Sequence, residues 1–241
     1  MPEVVVAALI GAVSLLYATA GQAGGSAFVA VMGLAAFPAA QLRPTALLLN
    51  VVAAGYATWR LRASGAVNPR TFALLAIPSV AAAFIGGLLV LDERVYSGLT
   101  GSLLLAAGVL LVVKRSAVRP AREPEPGLVA LAGATKGLLS GLTGVGGGVF
   151  LAPLLIGLGW MSAREAAAIS PPFILCNSVV GLAGVLLSGQ SASSLTPLYA
   201  AAALAGAIIG WVIARQSMSE RATRLVLAAL LTFAGLRLAL R

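Results

Sequence analysis

The chain has 241 residues, of which 60% are hydrophobic and 10% are charged, and its mean hydropathy is +1.01. This composition excludes a water-soluble domain and indicates an integral membrane protein. The formal net charge is +9, but the basic residues stand singly between apolar runs, which argues against a nucleic-acid partner and favours topology signals. With no histidine and one cysteine, Cys176, the sequence predicts no metal site of the usual ligands and no cofactor.

Apolar runs bounded by charged residues, Pro and Gly predict ten helical segments. A span needs roughly 20 residues, so we expect a multi-pass protein, surrounded by lipid in a bacterial plasma (inner) membrane, as a monomer or homodimer. A polar linker, 114–127 ("KRSAVRPAREPEPG"), divides the segments into two sets of five. The predicted segments are 4–20, 27–41, 44–60, 71–91, 95–113, 128–143, 149–161, 166–187, 195–214 and 221–240.

In both sets of segments, Gly, Pro and Asn interrupt the apolar runs at matching positions and in the same order, which predicts an internal duplication. "GQAGGS" at 21–26 overlays "GVGGGV" at 144–149, and "RPTALLLN" at 43–50 overlays "SPPFILCN" at 170–177. Further along, Gly86 falls on Gly210 and Gly108 on Gly235. We therefore predict repeat 1 at 1–113, a cytoplasmic linker at 114–127 and repeat 2 at 128–241.

The distribution of Lys and Arg predicts how these repeats cross the membrane, because both residues prefer cytoplasmic loops. If the first two segments of each half form a hairpin and three full spans follow, each half crosses an odd number of times, and the halves are inverted. Twelve of the 16 basic residues then lie inside, Lys136 among them, and only Arg43, Arg94, Arg237 and Arg241 lie outside. The predicted fold is an all-α polytopic protein of two inverted repeats, each a Gly-interrupted hairpin, re-entrant or of two short spans, plus three transmembrane helices.

The Gly-rich stretches predict helix breaks at membrane depth, which survive only when buried in protein or facing a wet cavity. Inverted-repeat transporters build midplane substrate sites from such breaks, and successive glycine N–H groups next to a helix N-terminus form an anion-binding nest. The predicted site glycines are Gly21, Gly24, Gly25, Gly144, Gly146, Gly147 and Gly148. Close helix packing is the alternative role of glycine in lipid, and we expect it for Gly11, Gly86, Gly87, Gly108, Gly206 and Gly210.

Several polar residues near these breaks complete the predicted site. Asn50 and Asn177 occupy matching repeat positions, and both a ligand contact and an interhelical hydrogen bond stay open for them. Ser170, before Pro171, is a candidate to cap an exposed helix end. The further candidate hydroxyl or amide donors are Gln22, Ser26, Ser140 and Thr143.

The stretch "KGLLSGLTGVGGGVFLAPLLIGLG", 136–159, resembles the signature of the TauE/SafE family of sulfite-exporter-like membrane proteins. The length, the duplication and the central linker also fit the family. The first half departs from the signature, since Gln22 and Ala23 interrupt the glycines, Ser26 ends them, and Ala30 stands where the second half has Pro153. The resemblance implies export of sulfite, a sulfonate or a similar small sulfur-containing anion.

The charged residues constrain the mechanism independently of the resemblance. All seven carboxylates fall at predicted span ends or in the linker, so no acidic group for a proton relay stands mid-membrane. We therefore expect an anion uniporter working by alternating access. A membrane-embedded enzyme lacks its usual nucleophile, base or metal ligands here, and a scaffold would present larger loops. An anion channel of the same fold, or a transporter of a different small organic anion, stays open.

Overall fold

The structure, a computed structural model, describes residues 1–19, 22–62, 68–113, 125–213 and 220–240. Within these ranges the chain forms ten α-helices and no β-strand, as the predicted all-α class requires. The helices are α1 Glu3–Thr19, α2 Gly25–Leu34, α3 Ala39–Leu61, α4 Pro69–Leu88, α5 Glu93–Val113, α6 Pro126–Thr143, α7 Gly148–Gly157, α8 Ala163–Leu187, α9 Thr196–Ile213 and α10 Glu220–Ala239.

Most helix bounds lie close to those of the predicted segments, and the largest difference is at the second segment. The prediction ran 27–41 as a single helix, whereas α2 ends at Leu34 and α3 begins at Ala39. Ala36 takes a left-handed φ of 63°, and Pro38 is the extended N-cap of α3. Because this turn is built from apolar residues without charge or Gly, hydropathy alone did not reveal it.

Among the described residues, four helices are long and apolar enough to cross a membrane: Pro69–Leu88, Glu93–Val112, Glu165–Leu187 and Thr196–Ile213. The shorter α2 and α7 have 10 residues each, which is about 15 Å of helix and about half of the hydrocarbon thickness. Each half of the chain therefore contains a helix that reaches only part of the way across. The chain is an all-α polytopic membrane protein.

α6 packs along α4 through a row of glycines with four-residue spacing. A Cβ on each glycine would overlap one carbonyl oxygen of α4, Gly133 meeting Leu75, Gly137 meeting Ser79 and Gly141 meeting Ala83. Sequence numbers rise together on both helices, so α4 and α6 run parallel. Small residues at such an interface let two backbones approach closely, which is a main source of helix association in lipid.

Two further pairs of helices, α1 with α9 and α5 with α10, also pack through glycines. α1 and α9 also run parallel, because Gly206 packs on Gly11 and Gly210 packs on Leu15. α5 and α10 run antiparallel, since Gly101 faces Ala239 while Gly108 faces Thr232. The packing role predicted for Gly11, Gly86, Gly87, Gly108, Gly206 and Gly210 is confirmed, because a Cβ on each would come within 3.2 Å of a neighbouring helix.

α2 lies at the centre of the larger core. Nine of its ten residues are buried, and it packs among α1, α3 and α10. A helix that is apolar all round belongs in such a position. α7 packs against α8 in the second half, where Leu151 and Leu155 join Phe173 in a smaller cluster. The two short helices are thus enclosed by the longer ones.

Candidate functional site

Both short helices begin at a glycine in a left-handed conformation. Gly24 (φ 85°) is the N-cap of α2, Gly147 (φ 71°) is the N-cap of α7, and neither helix start has a side-chain cap. Gly144 (φ 79°) ends α6, and Gly146 (φ 77°) lies in the turn that follows. Glycine adopts such φ values without strain, which is why the chain can reverse here. The break exposes the first N–H groups of α2 and α7 inside the protein.

The two Gly-rich turns meet. A Cβ on Gly25 would overlap the carbonyl oxygen of Val145 and stand 2.8 Å from Asn50 Oδ1. Residues 143–148 are all buried. The broken backbone is therefore enclosed by protein, as membrane depth demands, and the N-termini of α2 and α7 lie at one shared place in the fold. We call this place the glycine junction, meaning Gly24, Gly25 and 144–148.

Asn50 of α3 holds the glycine junction from one side. Its Nδ2 donates to the carbonyl oxygen of Gly144 at 3.1 Å, and a Cβ on Gly146 would lie 2.8 Å from Nδ2. Asn50 is fully buried, yet its Oδ1 has no hydrogen-bond partner. A buried acceptor left unpaired is unfavourable and rare in native proteins, so Oδ1 is available to a donor that enters the junction.

Ser140 of α6 lies on the other side of the glycine junction. Its Cβ is 3.6 Å from the position that a Cβ on Gly147 would take. The residue is 1% exposed, and its hydroxyl has no hydrogen-bond partner. Ser140 therefore presents an uncommitted donor next to the N-terminus of α7.

Other predicted hydroxyls at the junction are already engaged. Ser26 Oγ and Tyr17 Oη lie 2.6 Å apart in a buried pair. Thr143 donates its hydroxyl to Leu139 O at 2.6 Å, and its carbonyl oxygen accepts a hydrogen bond from Tyr96 Oη at 2.9 Å. These contacts fix the two turns in place and leave fewer free donors than the sequence suggested.

The structure does not bring all the predicted site residues together. Asn177 accepts from Ser79 Oγ of α4 at 2.9 Å and donates to Phe173 O at 3.0 Å, so both ends of its amide serve interhelical or local bonds. Gln22 is half-buried, and its backbone N–H donates to Tyr17 O. Gly21 lies outside the described residues.

The predicted capping role of Ser170 is wrong. Ser170 lies inside α8 and donates to Ala166 O at 2.7 Å, one turn earlier. The helix begins seven residues before it, at Ala163, where the N-cap Ser162 and Glu165 form a capping box. Pro171 and Pro172 do not start a helix but lie within α8. The apolar run predicted from 166 missed this start because the capping signal stands in the polar residues before it.

Arg43 is a structural residue that the sequence prediction treated only as an outside charge. It is 1% exposed in α3 and donates to four carbonyl oxygens, three at the end of α4 and one on α6. The acceptors are Gly86 at 2.6 Å, Gly87 at 2.7 Å, Leu89 at 2.8 Å and Gly141 at 2.9 Å. A cation at helix C-termini is favourable, so Arg43 ties α3, α4 and α6 together just beyond the glycine junction. The signal in the sequence for a buried role was the position of this arginine within an apolar run.

Lys136 is a second basic residue that lies inside a helix and not at its end. It lies in the middle of α6, adjacent to Gly137, which packs on Ser79 at the middle of α4. Its Nζ stands 4.8 Å from the ring centroid of Phe150 on α7. Its position as the ninth of the 16 residues in the predicted segment 128–143 was the signal that it lies within a helix.

A cavity of about 180 Å³ lies next to the junction, toward the end of α4. Arg43, Glu93, Tyr96 and Gln190 contribute its polar lining. Tyr96 connects this cavity to the junction, since its hydroxyl donates to Thr143 O. Small polar solutes thus have an open space one side chain away from the glycine turns.

Comparison with known proteins agrees with this architecture. The family described as Sulfite exporter TauE/SafE matches residues 5–238. The "Probable membrane transporter protein y4hK" of Sinorhizobium fredii is 34% identical over 236 residues, covering 94% of each chain. No solved structure matches. The chain therefore belongs to the TauE/SafE sulfite exporter family and is a multi-pass membrane protein of this transporter type.

Proposed function

We propose that the protein exports a small sulfur-containing oxyanion, such as sulfite or a sulfonate, across a bacterial inner membrane by alternating access. The observation that carries the proposal is the glycine junction, where two uncapped helix N-termini meet beside the unpartnered groups of Asn50 and Ser140. Helix N-termini with free N–H groups bind anions. The sulfur chemistry comes from the family description.

Two inverted repeats would allow the site to open alternately to the two sides of the membrane. The repeats are 1–113 and 128–241, and a cytoplasmic linker at 114–127 joins them. The antiparallel run of α5 and α10, the fifth helices of each half, supports the inversion. A pair of matching contacts supports the duplication itself. Gly86 packs on Leu138 as Gly210 packs on Leu15, and in sequence 210 − 86 = 124 while 138 − 15 = 123. Rocking of one repeat against the other around a fixed midplane site is the usual mechanism of such folds.

The free polar groups favour an oxyanion that carries one proton. Ser140 Oγ and the first N–H groups of α7 are donors, which suit negatively charged oxygens. Asn50 Oδ1 is an acceptor and needs an O–H or N–H from the ligand or from water. Hydrogensulfite offers both kinds of group, whereas a fully deprotonated anion offers only acceptors.

The membrane potential is a sufficient driving force for export. An anion leaving a cell that is negative inside gains about 2.3 kcal/mol per charge per 100 mV. The carboxylates whose side chains the structure describes, Glu3, Asp92, Glu93, Glu125 and Glu165, all stand at or beside helix ends. We therefore propose uniport without a coupled cation.

Transport in proteoliposomes tests the substrate class and the mechanism together. Liposomes loaded with unlabelled sulfite should accelerate the entry of radiolabelled sulfite, because a carrier exchanges substrate faster than it returns empty. Uptake should saturate, and sulfate and acetate should compete less well. Rapid flux that neither saturates nor shows counterflow would identify an anion channel, and absence of any sulfite movement would refute the substrate.

A further inference from the structure

Lys136 brings a positive charge to the middle of the membrane. α4 has 20 residues from Pro69 to Leu88, so it spans about 30 Å. Gly137 of the parallel helix α6 packs on Ser79, about halfway along α4. Lys136, the preceding residue, therefore lies near the bilayer midplane.

The ammonium group at this depth is uncompensated. Its recorded contact is the face of Phe150, and within the described part of the chain no carboxylate or hydrogen-bond acceptor pairs with it. A cation–π contact offsets only part of the loss of hydration. Intramembrane ionisable residues that are kept despite this cost usually face a substrate or ion path.

Lys136 also lies directly beside the glycine junction. Its carbonyl oxygen is 3.3 Å from the place where a Cβ on Gly147 would stand. Ser140, with its free hydroxyl, follows four residues later in α6, and residues i and i+4 share a helix face. One face of α6 therefore presents a cation and a hydroxyl donor toward the start of α7.

The first half of the chain has no equivalent of this arrangement. The shift that places Gly21 on Gly144 is 144 − 21 = 123, so Lys136 corresponds to Val13 and Ser140 to Tyr17. Val13 is apolar, and the Tyr17 hydroxyl is already paired with Ser26. Among the described residues, only the second half places both a charge and a free hydroxyl beside the start of its short helix, which gives one anion site and not two.

We propose that the Lys136 ammonium is the counter-charge of the transported anion, held together with Ser140 Oγ and the N-terminal N–H groups of α7. This rests on the proposed anion transport. Four rotatable bonds let the ammonium leave the Phe150 ring and meet an anion at the α7 N-terminus. A single lysine selects monoanions, since a second negative charge would remain unpaired at the midplane.

Binding of sulfite, sulfate and ethanesulfonate to the purified protein, measured by calorimetry, tests this assignment. Lys136→Met keeps an unbranched side chain one atom shorter and removes the charge, so sulfite affinity should fall at least about tenfold, while thermal stability should rise. Lys136→Arg should stay within about threefold of the wild type. Arg70→Gln, which removes an exposed charge at the start of α4, is the matched control and should leave affinity unchanged.

A labelling experiment on the wild type does not depend on any variant. The sequence has two lysines, Lys114 and Lys136, so Lys114 is an internal control for acetylation by acetic anhydride. Sulfate or ethanesulfonate, whichever binds more tightly, should protect Lys136 and not Lys114, as read by mass spectrometry. Sulfite itself is unsuitable here because it consumes the reagent.

The outcomes separate the two proposals. Unchanged sulfite affinity in Lys136→Met, or acetylation of Lys136 that a bound anion does not slow, overturns the role of Lys136 and leaves anion transport standing. A wild type that binds none of the three anions overturns the proposed function, and the role of Lys136 falls with it.

Discussion

Gly25 of α2 lies so close to Val145 that a single added methyl group would overlap the Val145 carbonyl oxygen. This contact joins the two Gly-rich turns, which are more than a hundred residues apart in sequence, and it brings the starts of α2 and α7 together. Gly25 has no positive φ, so its need for glycine comes from space alone.

Gly25→Ala should therefore push the two turns apart. Overpacking of this kind typically lowers stability by about 1–3 kcal/mol, and sulfite transport should fall in the protein that remains folded. Gly98→Ala on α5 is the control, because a Cβ there meets nothing within 4 Å and Ala is the better helix former. Equal transport by both variants, at equal amounts of folded protein, would show that the close contact has no functional role.

Arg43 should be a major determinant of stability. Arg43→Met leaves four carbonyl oxygens of α4 and α6 without their donor, and we expect a loss of at least about 3 kcal/mol. Arg43→Lys should recover only part of the lost stability, because an ammonium group cannot donate to the same four acceptors. Unfolding of the purified protein in detergent measures the loss in free energy of unfolding, with the exposed Arg70→Gln as the reference variant. A loss in Arg43→Met no larger than that of the reference would contradict a stabilising role for the hydrogen bonds to the four carbonyl oxygens.

The two matching asparagines should behave differently. Asn177 bonds with Ser79 between α8 and α4, so a double-mutant cycle of Ser79→Ala and Asn177→Ala should give a coupling energy of about 0.6 kcal/mol, typical of hydrogen bonds between membrane helices. Sulfite transport should persist in the double variant. Asn50→Ala should instead impair transport, since Asn50 contacts the junction directly. Loss of transport in the double variant, together with full transport in Asn50→Ala, would mean that Asn177 and not Asn50 serves the transport site.

The inversion of the repeats can be tested from either side of the membrane. Arg70 and Ser194 are exposed positions related by the same shift of 124 as Gly86 and Gly210. With Cys176→Ser as background, Arg70→Cys should react with a membrane-impermeant thiol reagent only from the cytoplasmic side and Ser194→Cys only from the outside. Labelling of both from one side would mean that the halves share one orientation.

Sequence alone could predict most helix bounds and the helix breaks at the two Gly-rich turns, because both follow from local composition and from the repeat. It could not place Arg43 and Lys136. A basic residue in an apolar run usually indicates a loop. Only packing reveals that Arg43 has carbonyl partners and that the Lys136 ammonium lies over the Phe150 ring of α7. It also left Asn50 and Asn177 equivalent, since the difference depends on which neighbour reaches each amide.

The most direct test of anion binding at the glycine junction is sulfite flux in proteoliposomes under an imposed potential, comparing Ser140→Ala with Thr58→Val. Both changes remove a buried hydroxyl oxygen without a hydrogen-bond partner, so neither should destabilise the fold, but only Ser140 lies beside the start of α7. We expect voltage-driven flux that falls about tenfold or more in Ser140→Ala, as loss of a charge-assisted hydrogen bond implies, and that stays at the wild-type level in Thr58→Val. Normal flux in both variants would contradict an anion site at the junction.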